Sequence, residues 1–208
     1  MKWTEFYRIK KLRTEFLLTI ILLAATLFTL AHFLDFVELR QGVVLPDPIL
    51  DLFQPINLTW LTFGLIYCSL VLAIILLFKN PERLMFAIQV YIAFVIVRIS
   101  AMYLVPLNPP EHMIQLSDPF VQFFGTGKLL TKDLFFSGHT ATLFILFLVT
   151  EKKYFKYFFL TATIIVGLSV LLQHVHYSID VFAAPFFTYA CYKIVLIYNL
   201  KRGRFFRN

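Results

Sequence analysis

Two histidines, one aspartate and one arginine stand out in a chain of 208 residues that is 60% hydrophobic and only 15% charged. His176 and Asp180 are four residues apart, a spacing that on a helix puts both on one face, one turn from each other. A carboxylate so placed can hold the proton of one imidazole nitrogen and leave the other as a base or nucleophile. The same pair could simply cap the start of a helix. Ser137-Gly138-His139 opens an apolar run. Serine can cap a helix, glycine lets a ligand approach the backbone, and the exposed N–H groups then form an anion site. His139 would stand beside that anion, placed to give a proton to a leaving oxygen. The plain alternative is an ordinary cap followed by an interfacial histidine. Arg98 lies within another apolar run, where an ionisable group is costly and often functional. Its guanidinium could grip a phosphate through two parallel hydrogen bonds, or its long stem could let the charge snorkel to the membrane surface. Two histidines, a carboxylate, an arginine and a helix N-terminus together suggest phosphoryl transfer through histidine.

These groups have to be positioned by membrane helices. A soluble domain is usually about 45–50% apolar and about 25% charged; this chain departs from both figures, has a mean hydropathy of +0.78 and carries 25 Phe and 10 Tyr. Lipid can solvate such a surface and water cannot. The fold expected is all-α: a polytopic helical bundle forming a single integral membrane domain over residues 1–208. A spanning helix needs roughly 20 mainly apolar residues. Six candidates appear, at about 16–34, 58–78, 84–105, 134–150, 154–173 and 179–200. The fourth is short unless Leu134 to Phe136 are added. The first is too long for a signal-peptide core, and no small-residue cleavage site follows it.

Of the 19 Lys and Arg, 14 fall on the side of the termini and 3 on the opposite side, a bias that places both termini in the cytoplasm. Two long loops, about Asp35 to Asn57 and about Pro106 to Phe136, are then external. Pro46, Pro48 and Pro55 break the first. Pro106, Pro109, Pro110 and Pro119 break the second, and Gly125 and Gly127 loosen it. In this topology Arg98, the Ser137–His139 segment, and His176 with Asp180 all lie near the external face, at similar depth.

Other residues read less sharply. Asp133 could orient His139 or a head group, or be a solvated loop residue. His174 could bind substrate or cap a turn. His32 and His112 read as interfacial, and the many Phe residues as lipid-facing or core. Cys68 and Cys191 fall inside apolar runs and read as reduced. The net charge of +7 does not imply a nucleic-acid partner, because the basic residues punctuate apolar runs instead of lining a groove on a soluble body. The N-terminal basic run suits anionic lipid at the cytoplasmic surface. No cofactor is expected. The external side lacks a close cluster of carboxylates suited to magnesium or calcium, and no metal ligands are assigned.

The segment from Asp133 to Thr140, followed by His174-Val175-His176-Tyr177-Ser178-Ile179-Asp180, resembles the sphingomyelin synthase branch of the type 2 phosphatidic acid phosphatase superfamily. Arg98 to Tyr103, with Pro106 and Pro109 after it, resembles that branch's arginine motif, and Leu45-Pro46-Asp47 is a weaker match. The resemblance covers roughly residues 40 to 195. It implies six spans, cytoplasmic termini, an external active site and no metal. It also implies that His176 attacks phosphorus, oriented by Asp180, while His139 protonates the departing alcohol. A second alcohol would then take the phosphoryl group from the phosphohistidine. Arg98, Ser137, Gly138, Asp133 and His174 would bind substrate or its phosphate.

The departures are also informative. The phosphatase branch has a lysine seven residues before the arginine and a proline after it, where this chain has Tyr91 and Ile99. It has a proline before Ser-Gly-His and an arginine six residues before the second histidine, where this chain has Phe136 and Val170. Two cations that would grip a phosphate monoester are therefore missing, although Lys128 or Lys132 could fold back. Fewer cations suit a diester, which favours head-group transfer between a membrane phospholipid and a lipid alcohol such as ceramide or diacylglycerol. The competing readings are a lipid phosphate phosphatase or diester hydrolase, with water as acceptor, and a non-enzymatic lipid-binding membrane protein.

Overall fold

The computed structural model describes residues 1–117 and 130–203. Pro119, Gly125, Gly127 and Lys128 of the second external loop lie outside them. The described residues form seven helices and no named strand: α1 (Trp3–Arg8), α2 (Lys10–Leu39), α3 (Thr59–Leu77), α4 (Pro81–Leu104), α5 (Gly138–Val149), α6 (Lys153–Leu172) and α7 (Ser178–Lys201). Five of them, α2, α3, α4, α6 and α7, are long and apolar enough to cross a membrane. The architecture is that of a polytopic helical bundle.

The helix boundaries follow local chemistry. Asn80 caps α4, its Oδ1 accepting from the Arg83 N–H at 3.4 Å, and Pro81 takes the first helical position, where its missing N–H costs nothing. Helix α2 runs 30 residues, well beyond the 16–34 apolar stretch, because no Gly or Pro interrupts its polar ends. The fourth expected span differs most. Leu134 to Phe136 do not join it, and α5 has only 12 residues, about 18 Å. The basic N-terminus also holds more structure than its charge suggests. Helix α1 folds back so that Phe6 is fully buried and the Trp3 indole donates to the Phe78 carbonyl at 2.7 Å.

Short as it is, α5 is central. It packs against α3, α4, α6 and α7. Its Ala141 and Ile145 join Val90, Phe94 and Ala184 in one buried cluster. Its Leu143 and Leu146 join Phe63, Phe159 and Val166 in another. A helix packed against four others, with no residue fully exposed, is a rigid base for whatever its N-terminus carries.

The two loops assigned to the external side are sewn together at the other end of the bundle. Val43 and Leu107 form an isolated parallel bridge, with Val43 N–H to Pro106 O at 3.1 Å and Asn108 N–H to Val43 O at 3.0 Å. Gly42 permits this approach, since a Cβ there would sit 2.5 Å from the Leu107 carbonyl carbon. Gln173, fully buried, extends the seam. Its Oε1 accepts from Leu58 N–H at 2.9 Å, and its Nε2 donates to Thr59 Oγ1 at 3.0 Å and Ile114 O at 3.3 Å.

Candidate active site

Arg98 lies on α4, six residues before its end, and only 4% of it is exposed. Its charge does not run out along the helix to the surface. The Nε–H donates to the Phe136 carbonyl at 3.4 Å, and Nη2 meets the Asp133 carboxylate at 2.6 Å and the Asp133 carbonyl at 3.5 Å. The guanidinium lies against the first residue of α5: a Cβ on Gly138 would sit 2.9 Å from its Cζ and 3.1 Å from both terminal nitrogens. The space that glycine leaves at this helix end is thus filled by an arginine.

The chain reaches this arrangement through a strained approach. Phe135 and Phe136 have φ of +62° and +32°, the left-handed region that non-glycine residues seldom enter. Proline, fixed near −65°, could not occupy position 136 in this conformation, which gives a structural reason for Phe136 where the phosphatase branch has proline. Packing holds the turn. Phe136 is fully buried, stacked on Phe187 with centroids 4.7 Å apart and set edge-on to Phe94 at 5.7 Å.

Asp133 is a partner of the arginine and not a solvated loop residue. Burial pushes its carboxyl up, but the charge and hydrogen bond of Arg98, with His176 and His139 nearby, outweigh that and leave it below the ordinary carboxylate value. Ser137 acts as the cap. Its Oγ accepts from Thr140 N–H at 3.4 Å, and its own N–H donates to the Asp180 carbonyl at 3.0 Å, tying the start of α5 to α7.

His176 and Asp180 are both buried, with Nδ1 3.4 Å from Oδ2. The pairing differs from the helical one expected. His176 precedes α7, which begins at Ser178, so the two residues do not share a helix face. They meet because Asp180 reaches back as a cap, its Oδ2 also accepting from Tyr177 N–H at 3.2 Å. The capping and histidine-orienting readings are therefore one geometry. The rings of His139 and His176 lie 6.2 Å apart, centroid to centroid.

A largely apolar groove of about 460 Å³ runs between α2, α3, α4 and α5. Leu23, Leu27 and Leu70 are among its walls, and Arg98, Asp133, Gly138 and His139 line it too. His174 stands apart from this group. Its Nδ1 pairs with the Glu111 carbonyl at 3.3 Å, and it faces a different cavity, about 620 Å³, between the loops. Lys132 is turned away as well, donating to the Arg40 carbonyl at 2.6 Å.

Residues 132–198 match a family model described as PAP2 superfamily C-terminal. The match spans Asp133, the Ser137–His139 segment, His174, His176 and Asp180, with all of α5 and α6 and most of α7. It supports the type 2 phosphatidic acid phosphatase superfamily over that third of the chain, and with it lipid phosphatase or phosphotransferase activity in general. Arg98 and the first external loop lie outside it. No curated protein matches the chain.

Sequence reasoning missed the support behind His176. Asp47, 8% exposed, sends its carboxylate from the first loop to the start of α7. Oδ2 accepts from Ser178 N–H at 2.6 Å, and Oδ1 accepts from Ser178 Oγ–H at 3.0 Å. Oδ1 also takes the Ile49 and Leu50 N–H groups at 3.1 and 3.4 Å. Burial pushes this carboxyl up, and the donors from Ser178, Ile49 and Leu50 together bring it below its ordinary value. The only signal in the sequence was the faint Leu45-Pro46-Asp47 match.

Proposed function

We propose that the protein is a membrane lipid phosphotransferase that moves a phospho-head group from a phospholipid to a lipid alcohol such as ceramide or diacylglycerol. One observation carries this reading: Arg98, Gly138 and His139 line a groove whose other walls are almost wholly apolar. Such a groove suits a molecule with one anionic centre and long hydrocarbon. Among the described lining residues Arg98 is the one Lys or Arg, and Asp133 offsets its charge. A phosphate monoester carries close to two negative charges near neutrality, a diester one. A single, partly neutralised cation favours the diester.

In the first step His176 attacks phosphorus through Nε2 while Nδ1–H is held by Asp180. The phosphorus–oxygen bond to the departing lipid alcohol breaks, and His139 supplies the proton that alcohol takes. Arg98 and the N–H groups at the start of α5 hold the charge on the phosphoryl oxygens. In the second step His139 takes the proton of the acceptor alcohol, whose oxygen attacks phosphorus and frees His176. The six-span topology, with both termini cytoplasmic and the site on the external face, belongs to the same proposal. A cysteine placed at Gln41 should react with an impermeant thiol reagent in intact cells and one at Lys79 should not; the reverse pattern would invert the orientation.

The deciding experiment uses purified protein and head-group-labelled phospholipid, with and without ceramide or diacylglycerol, and resolves products by mass. A labelled diester that needs the added alcohol is expected. A labelled phospho-alcohol in its place assigns hydrolysis. Equal background from the parent and from His176→Ala defeats both.

A further inference from the structure

We infer that Asp47 is a positioning residue for His176: a latch from the first external loop that fixes the turn between α6 and α7. The inference rests on the proposed role of His176. His176 reaches α7 through Tyr177 and Ser178. Asp180 fixes that turn from within the helix, through Tyr177 N–H and His176 Nδ1. Asp47 fixes it from outside, taking both donors of Ser178. Its other two bonds, from Ile49 and Leu50, tie the same carboxylate to its own loop. The neighbouring seam adds a second tie, since the Tyr177 hydroxyl donates to Asn108 O at 2.9 Å and accepts from Leu45 N–H at 3.1 Å. A buried carboxylate with four donors is a rigid strut, and the residue it holds, Ser178, is two residues along the chain from the reactive imidazole. Small displacements of a reacting group are costly, about 100-fold in rate for roughly 1 Å.

Ser178 allows the latch to be removed without removing the helix. It is the first residue of α7, where proline is favoured. Tyr177 before it has φ −66° and ψ 154°, the extended conformation that a following proline requires. Ser178→Pro deletes the N–H and the hydroxyl that Asp47 accepts and leaves α7 able to form. Asp47→Ala deletes the acceptor.

The test compares Ser178→Pro, Asp47→Ala, their combination and Asp51→Ala, the last an exposed carboxylate of the same loop. Turnover of labelled phospholipid and the imidazole 15N shifts of His176 are both read in folded, monodisperse protein. Each latch variant should lower kcat by roughly 10–100-fold with KM nearly unchanged, because the groove lies away from the loop. The combination should be no worse than either single change, and Asp51→Ala should match the parent. The His176 shifts should move from a protonated Nδ1 toward a mixture of tautomers in the latch variants. That readout needs no substrate, so it stands even if the parent turns over no phospholipid and the proposed reaction fails. If Asp47→Ala fails to fold, Ser178→Pro decides alone. Parent-like kcat and parent-like 15N shifts in folded Ser178→Pro would overturn the latch, as would a change in KM with kcat intact.

Discussion

Helices α5 and α7 begin within one hydrogen bond of each other, Ser137 N–H to Asp180 O at 3.0 Å, yet their N-termini are satisfied in opposite ways. Each end carries roughly half a positive charge from its exposed N–H groups. At α5 the cap is a neutral hydroxyl, and a guanidinium packed on Gly138 adds positive charge beside it, offset in part by the Asp133 carboxylate. At α7 the caps are two carboxylates, Asp180 from within and Asp47 from the loop. On electrostatic grounds the α5 end suits an anion, and the α7 end suits an imidazole that becomes cationic. Placing the two ends side by side offers phosphorus to a histidine without crowding both charges onto one helix.

The most severe way to break the comparison is to remove the imidazole at the α7 end. His176→Ala should lower turnover by at least about 10³-fold, and adding His139→Ala should cost little more, because groups that act as a unit do not multiply. Independent, multiplying losses, measured by initial rates with labelled phospholipid, would separate the two histidines functionally. At the α5 end, Gly138→Ala forces a Cβ into the guanidinium. Alanine is a better helix former than glycine, so the helix itself should not suffer. Activity should still fall roughly 10–100-fold as Arg98 shifts. Gly64→Ala, with nothing within 4 Å of the new methyl, should be silent in the same assay. Arg98→Lys keeps the charge and loses the planar fork. It should insert normally and lose about tenfold in kcat, which is about 1.4 kcal/mol of transition-state stabilisation. Parent-like activity would mean that charge alone, and not the fork, is needed beside α5.

Much of this contrast was legible beforehand. Hydropathy located the helices, since the interior of each long one is nearly pure apolar sequence, and it missed the extensions of α2 because Lys10, Lys11, Arg13, Glu15, Asp35 and Glu38 interrupt the apolar run there. Local motifs placed Ser137 as a cap and joined His176 to Asp180. They misjudged how that pair forms, because four-residue spacing is shared by a helix face and by a cap that reaches back past the helix start. The contacts between segments distant in sequence were not legible. Nothing near Gly138 announces that Arg98, 40 residues earlier, fills the space beside it. Nothing near Ser178 announces Asp47. His174 shares a motif with His176, but it has a φ of +56° and its ring meets the Glu111 carbonyl between the loops, a placement that the shared motif does not announce.

The mildest test of the comparison is its pH dependence at the α7 end. The Asp47 carboxyl is held below its ordinary value by donors from Ser178, Ile49 and Leu50 that outweigh burial. A carboxyl depressed in the folded state contributes stability that is fully present above its unfolded pKa and is lost as pH falls through the folded one. The latch should therefore hold across the neutral range and weaken only in acid below the ordinary carboxylate range. Asp47→Asn keeps the shape, offers a single acceptor oxygen and cannot titrate. Its melting temperature in detergent should lie below that of the parent at neutral pH, and the gap should narrow as the parent's carboxyl takes up its proton. Ser178→Ala removes only the hydroxyl donor and should show the same narrowing from a smaller initial gap. A gap that stays constant from neutral pH into acid would mean that the ionised form of Asp47 contributes nothing special, and the contrast between the two helix ends would then rest on Asp180 alone.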